Sequence, residues 1–145
     1  MEDRRLICTV GLPRSGKSTW SRLVGFPICS PDAIRYSLYG QVFIREAEDM
    51  VWTIAKYMVK SLFIAGHKTV VLDATNLTPG MRNQWISSEW KTEWKIFNTD
   101  VDTCITRAIA GERHDLIDVI KRFNERYYPI DVCELETTGS SIYKD

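Results

Sequence analysis

The sequence predicts an α/β fold in three layers, a central parallel sheet between helices. Two features of the pattern and one of size point to it. Short apolar runs with β-branched members alternate with stretches whose apolar residues recur at helical spacing. The first of these runs ends on a glycine-rich segment that leads directly into a helical stretch. At 145 residues the chain has the commonest size of one compact unit, so a single domain over residues 1–145 is expected. Residues from about 132 to 145, rich in Thr, Ser and Gly, are expected to be a C-terminal tail.

The elements follow in order. Leu6-Ile7-Cys8-Thr9-Val10 reads as a buried parallel strand stopping at Gly11. A helix should begin near Gly16 and turn Trp20, Leu23 and Val24 inward, and Phe26-Pro27-Ile28-Cys29 fits a short second strand. The clearest helix carries Ala47, Met50, Val51, Ile54, Tyr57, Met58, Ser61, Leu62 and Ala65 on one core-facing side, and Gly66 stops it. Thr69-Val70-Val71-Leu72-Asp73 is another buried strand. Thr78 is a candidate N-cap with Pro79 at the first helical position, leading Met81, Trp85 and Ile86 into a helix. Trp94-Lys95-Ile96-Phe97 reads as a strand and Asp102 to Ala110 as a helix closed by Gly111. A last helix from Asp115 has the stripe Leu116, Val119, Ile120, Phe123 and Tyr127.

Composition narrows the classes. Nineteen basic and nineteen acidic residues cancel, so no global field holds a long polyanion. A nucleic-acid partner would therefore be held locally, through a few phosphates near one end. No apolar run approaches the roughly 20 residues of a membrane helix, and the N-terminus lacks a signal-peptide core, so a cytoplasmic setting is expected. Cys8, Cys29, Cys104 and Cys133 form no CxxC pair, and His67 and His114 are isolated. They read as reduced thiols and lone imidazoles, not as a disulfide framework or zinc site.

The chemistry concentrates in Gly11-Leu12-Pro13-Arg14-Ser15-Gly16-Lys17-Ser18, which fits G-x-x-x-x-G-K-[ST] at every fixed position. Glycines let successive N–H groups point into one concavity, and the following helix adds its positive end. Lys17 would sit on the β- and γ-phosphates of ATP, the Ser18 hydroxyl would ligate Mg²⁺, and Thr19 completes the binding run. At usual residue frequencies, chance produces this pattern in about one chain of this length in two hundred. Here it also falls between a strand and a helix, as the chemistry requires. Asp73 ends an apolar strand further on and is the second candidate for Mg²⁺.

Such a loop serves motors and switches as well as kinases. The chain has no room for the extra strands of a motor core and no Asn/Thr-Lys-x-Asp base-reading motif. Two constellations instead suit transfer to a bound alcohol. In Ser30-Pro31-Asp32-Ala33-Ile34-Arg35, Asp32 could accept a hydroxyl proton or merely cap a helix, and Arg35 could hold a neighbouring phosphate. Arg107, Arg113 and Lys121-Arg122 surround the break at Gly111-Glu112, which reads as a lid over ATP or as a solvated turn. Lys17, Asp32 and Arg113 are the candidate catalytic residues.

Gly11 to Trp20, Ser30 to Arg35, Asp73-Ala74-Thr75-Asn76-Leu77 and the arginines from Arg107 to Arg113 carry a family likeness. Over about residues 5 to 130 the chain resembles the kinase domain of bacteriophage polynucleotide 5′-hydroxyl kinase and related small P-loop kinases. The resemblance implies a P-loop kinase fold with a helical lid. Asp32 would be the general base for a 5′-OH and Arg35 the grip on the acceptor's 3′-phosphate. Thr75 and Asn76 would help position that acceptor, and Arg107 and Arg113 would be lid arginines on ATP. A phage protein at work in a host cytoplasm fits the same likeness. Ala74 stands where the family has an acid, and Asp115-Leu116 replaces the lid's Val-Pro. Readings that stay open are a kinase of a nucleoside, sugar, antibiotic, aminosugar nucleotide or modified base in DNA, and a non-catalytic nucleotide-binding adaptor.

Overall fold

Arg5–Val10 (β1) can run through the middle of a sheet because every side chain from Leu6 onward is buried. The computed structural model of the protein describes residues 3–40 and 43–145. Ile28–Cys29 (β2), Thr69–Leu72 (β3), Lys91–Ile96 (β4) and Ser141–Ile142 (β5) complete the sheet. Among the described residues it has five parallel strands in the order β2-β3-β1-β4-β5. The chain leaves β1 towards one side of the sheet and returns to the other. That places the ligand crevice beyond the carboxyl end of β1.

The helices are Lys17–Val24 (α1), Pro31–Tyr39 (α2), Glu48–Ile64 (α3), Pro79–Asn83 (α4), Val101–Ala110 (α5), Leu116–Arg126 (α6) and Val132–Thr138 (α7). Their starts are chemically marked. Ser30, Thr78, Asp100 and Asp131 each accept an N–H from the first turn through the side chain. One core cluster joins Leu6, Cys8, Val10 and Trp94 of the sheet to Val51, Ala55, Val59 and Phe63 of α3. A smaller one, of Leu12, Leu77, Cys104, Ala108 and Ile120, holds the α5–α6 pair beside the glycine-rich loop.

Four expectations need correcting. In α1 the inward residues are Lys17 and Ser21, while Leu23 is 79% exposed. The helix has eight residues, and its inner side is set by the lysine that must reach the loop. In α3 the buried face is Val51, Ala55, Val59 and Phe63; Met50, Tyr57 and Met58 are exposed. The helix is apolar on two sides, and the sheet takes the side with the smaller residues. The helix after Thr78 ends at Asn83, and Trp85 is buried beyond it, its carbonyl accepting from Trp90 Nε1 and Thr92 Oγ1.

The expected tail is instead part of the fold. Asp131 caps α7, Gly139 closes it with φ 70°, and β5 pairs with β4. Tyr143 packs edge-on to Trp20 of α1 at 5.5 Å, and Asp145 pairs with Lys95. The strongest tie is Arg82, 1% exposed, whose guanidinium makes a fork with Glu134 of α7 at 2.7 Å on both nitrogens. Arg82 Nη1 also donates to Asn76 O and Nη2 to Tyr128 O, both at 2.9 Å. Arg82→Ala strands Glu134 and two carbonyls, and is expected to cost about 3–5 kcal/mol of stability in urea unfolding.

Candidate active site

The loop Gly11–Ser18 hangs between β1 and α1, fastened at both shoulders. Gly11 N–H donates to Thr75 O at 3.0 Å, and Phe97 N–H donates to Val10 O at 2.8 Å. A Cβ on Gly11 would lie 2.7 Å from Ser15 Oγ and 3.0 Å from Phe97 Cβ, so no larger residue fits there. Gly16, at φ 105°, turns the chain into α1. Outside donors take the loop's carbonyls: Thr99 Oγ1 bonds Ser15 O at 2.9 Å and Arg107 Nη1 bonds Arg14 O at 3.1 Å. The first N–H groups of α1, at Lys17, Ser18 and Thr19, have no intrahelical partner, as at any helix start. The result is a cradle of donors at the positive end of a helix, suited to phosphate.

Lys17 lies under that cradle, buried, with Nζ donating to Leu12 O and reaching Ser15 Oγ at 3.4 Å. Burial pulls its ammonium down to about 8, against the charges of Asp73 and Asp32, which hold it up. The Ser18 hydroxyl donates to Asp73 Oδ2 at 2.8 Å. Burial pushes the Asp73 carboxyl up, opposed by that hydroxyl and by Lys17, while the Asp32 charge adds to the rise. A hydroxyl and a half-buried carboxylate at the phosphate cradle are the hard oxygen donors that Mg²⁺ takes. Among the described residues no three His, Cys, Asp or Glu side chains cluster. A cation here would share its shell with the nucleotide's own phosphates. Leu12 contributes only main chain, since its side chain is buried among the α5–α6 residues, and Pro13 is half-buried beside it.

Asp32 is not the cap of α2. Ser30 Oγ has that role, accepting from Ala33 N at 3.1 Å. The Asp32 carboxylate is 93% exposed, and among the described residues its one partner is Arg35 Nη1 at 2.7 Å. Arg35 is far more constrained. Its Nε and Nη2 make a fork with Glu48 at 2.8 and 2.6 Å, and its guanidinium stands 5.8 Å from the rings of both Phe43 and Trp52. Glu48 was not legible as a site residue: it reads as the acidic start of α3.

Thr75 stands beside the loop with its carbonyl on Gly11. Asn76, expected as an acceptor contact, is wholly buried at φ 47°, with Nδ2 donating to Thr9 O at 2.9 Å. It braces the end of β1, and its Oδ1 is buried with no hydrogen-bond partner among the described residues. The neighbouring Thr9 hydroxyl does similar work, donating to Ala74 O at 2.7 Å and accepting from Ala74 N at 2.9 Å.

The two lid candidates differ. Arg107 touches the loop through Arg14 O, whereas Arg113 makes a fork with Asp115, both contacts 3.0 Å, and is 47% exposed. Arg113 is thus a surface pair beside the loop and not a buried strut.

The fold recurs among solved kinases. In two structures of the Pnkp1/Rnl/Hen1 RNA repair complex the matching chains are 22% and 14% identical, with TM-scores of 0.67. They are matched by 74% and 88% of this chain, which spans only 40% and 47% of theirs. A gluconokinase from Sinorhizobium meliloti 1021 is 13% identical with a TM-score of 0.64, over 98% of this chain and 82% of its own. These likenesses show the P-loop kinase fold. A family model described as AAA domain matches residues 6–129, and the chain belongs to that family.

Proposed function

We propose that the chain transfers the γ-phosphoryl of ATP to a hydroxyl, the acceptor being the 5′-OH of a polynucleotide or of a nucleoside 3′-phosphate. The observation that carries this reading is the charge constellation beyond β1 and β3. Lys17, the Ser18–Asp73 pair and the exposed Asp32 carboxylate lie within one another's field, beside a phosphate cradle. In the reaction the acceptor oxygen bonds to the γ-phosphorus as the β–γ bridging bond breaks. Asp32 takes the acceptor's proton, and ADP leaves with the bond's electron pair. Mg²⁺, held by Ser18 and Asp73, would spread the charge of the phosphates. The polynucleotide acceptor is supported by the residue likeness in the loop and around Asp32, and by the two matching chains in an RNA repair complex.

Acceptor profiling tests the choice. If Arg35 grips a 3′-phosphate, Arg35→Ala should raise KM for 5′-OH oligomers and nucleoside 3′-phosphates about ten- to a hundred-fold while sparing plain nucleosides. Equal loss for all acceptors would reject that role. One observation favours a second reading, a neutral small alcohol: Glu48 already matches the Arg35 charge, leaving Asp32 in excess. On that reading a sugar or nucleoside outperforms every phosphorylated acceptor.

The depressed Lys17 titration gives a pH prediction. Phosphate oxygens favour the ammonium, so ATP binding above about pH 8 should take up a proton, and affinity should fall as pH rises through that value. Without ligand the sign is opposite. Between about 8 and the ordinary 10.5 the unfolded chain holds a proton that the folded one has released, so the empty fold gains stability as pH rises. Calorimetric titration in buffers of different ionisation enthalpy checks the uptake. An affinity that stays flat from about pH 7 to about 9.5 would contradict it.

A further inference from the structure

Arg14 occupies a position in the loop whose backbone suits glycine. Its φ is 68°, the left-handed region, which a side chain enters only at a cost. The cost falls on the segment that makes the phosphate cradle. Among the described residues the Arg14 guanidinium has no hydrogen bond and no carboxylate partner, and the residue is exposed. Its tip lies against Gly111, where α5 ends: a Cβ there would stand 3.3 and 3.4 Å from its two terminal nitrogens. Arg107 approaches from the same helix and bonds the Arg14 carbonyl at 3.1 Å. The nearby carboxylate, Asp115, is already forked by Arg113.

The surroundings can be read group by group. Arg107 donates to the main-chain carbonyl of Arg14, and the Asp115 carboxylate lies within the field of Arg14 without bonding it. Arg113 has its partner in Asp115, and Lys17 is turned into the cradle with Leu12 and Ser15. The Arg14 guanidinium, exposed on a left-handed residue of the phosphate loop, is placed to meet an anion that enters the loop. The anion that belongs in this loop is the phosphate chain of a nucleotide.

We propose that Arg14 is a catalytic residue, a cation supplied from within the phosphate loop to the transferring phosphoryl group. Its contact with Gly111 is the seat from which it swings. This rests on the kinase reading above and adds a residue to it. In the step, the acceptor O–P bond forms and the β–γ bridging P–O bond breaks, with the proton going to Asp32 and the electron pair to ADP. Arg14 exchanges no proton. Its N–H groups meet the oxygens on which charge collects as the phosphoryl passes between donor and acceptor. Lys17 and Arg14 thus approach the phosphates from the two sides of the cradle, and Arg107 follows through the Arg14 carbonyl.

The test is Arg14→Gly, with Arg14→Lys beside it, read in stability, ground-state binding and transition-state mimicry. Glycine relieves the left-handed residue, so Tm should be no lower than in the wild type. Affinity for ADP with Mg²⁺ should stay within about three-fold, because ADP lacks the group that Arg14 serves. Aluminium fluoride, which mimics the planar phosphoryl, should tighten ADP in the wild type and do so at least about ten-fold less in Arg14→Gly. Turnover should fall by about ten- to a thousand-fold. Lysine should restore part of both effects, since it returns the charge without the fork. Three results overturn the proposal. Equal tightening by fluoride in wild type and Arg14→Gly removes Arg14 and leaves the kinase reading standing. A clear drop in Tm with matching loss of ADP affinity makes the residue structural. A wild-type chain that fluoride does not tighten brings down the kinase reading and Arg14 together.

Discussion

Lys17→Ala is expected to lower turnover by about a hundred- to a thousand-fold, the loss typical of removing one preorganised donor from a developing charge. The residue is buried under the cradle, with Nζ turned to Leu12 O and Ser15 Oγ. Phosphate would draw that ammonium from a main-chain carbonyl onto the β- and γ-oxygens. ATP affinity should fall as well, since the charge serves the ground state and the transition state alike. The fold should survive, and even gain: burial holds the lysine's titration near 8, a sign that the folded chain carries its charge at a cost. Circular dichroism and a melting curve separate this from unfolding. A mutant with wild-type turnover would remove the kinase reading.

The loop itself was the most legible part of the chain. Its fixed residues demand a strand before and a helix after, and both are present at Arg5–Val10 and Lys17–Val24. Asp73 was legible for the same reason, and the structure puts it on the Ser18 hydroxyl. What escaped the sequence depends on distance along the chain. Arg35 meets Glu48 across 13 residues and Arg82 meets Glu134 across 52, and no local period records such pairs. The α7 signal was local: Asp131 followed three residues later by Glu134 is the pattern of a helix start, hidden by the Thr-, Ser- and Gly-rich composition around it. Asn76 misled for a chemical reason. A polar residue in a loop beside the phosphate site suggests ligand contact, but asparagine also tolerates φ 47° and can bond the backbone of the turn it makes. The core face of α3 misled because Met50, Tyr57 and Met58 continue the apolar pattern on the side left exposed.

Asp32→Asn is expected to reduce turnover by about a hundred- to ten-thousand-fold with ATP affinity near that of the wild type. The amide keeps the shape of the side chain and can still accept from Arg35 Nη1, which lies 2.7 Å from the carboxylate. It cannot take the acceptor's proton. Ser30 keeps the helix start, so stability should change little. The carboxylate is 93% exposed, open to an incoming hydroxyl, and its link to Lys17 is through the field and not a contact. The loss should therefore fall on kcat for every acceptor, unlike the acceptor-selective loss expected of Arg35→Ala. If Asp32→Asn retained full turnover, the base would have to be sought elsewhere in the crevice.

The most direct measurement is transfer of labelled γ-phosphoryl from ATP with Mg²⁺ to a panel of 5′-OH DNA and RNA oligomers, nucleoside 3′-phosphates, nucleosides and sugars. Wild-type protein should place label on a hydroxyl of at least one acceptor, with the 5′-OH oligomers or nucleoside 3′-phosphates preferred, and Lys17→Ala and Asp32→Asn should abolish most of it. ATP bound tightly with no label on any acceptor, in wild type and mutants alike, would contradict the account and leave a nucleotide-binding adaptor.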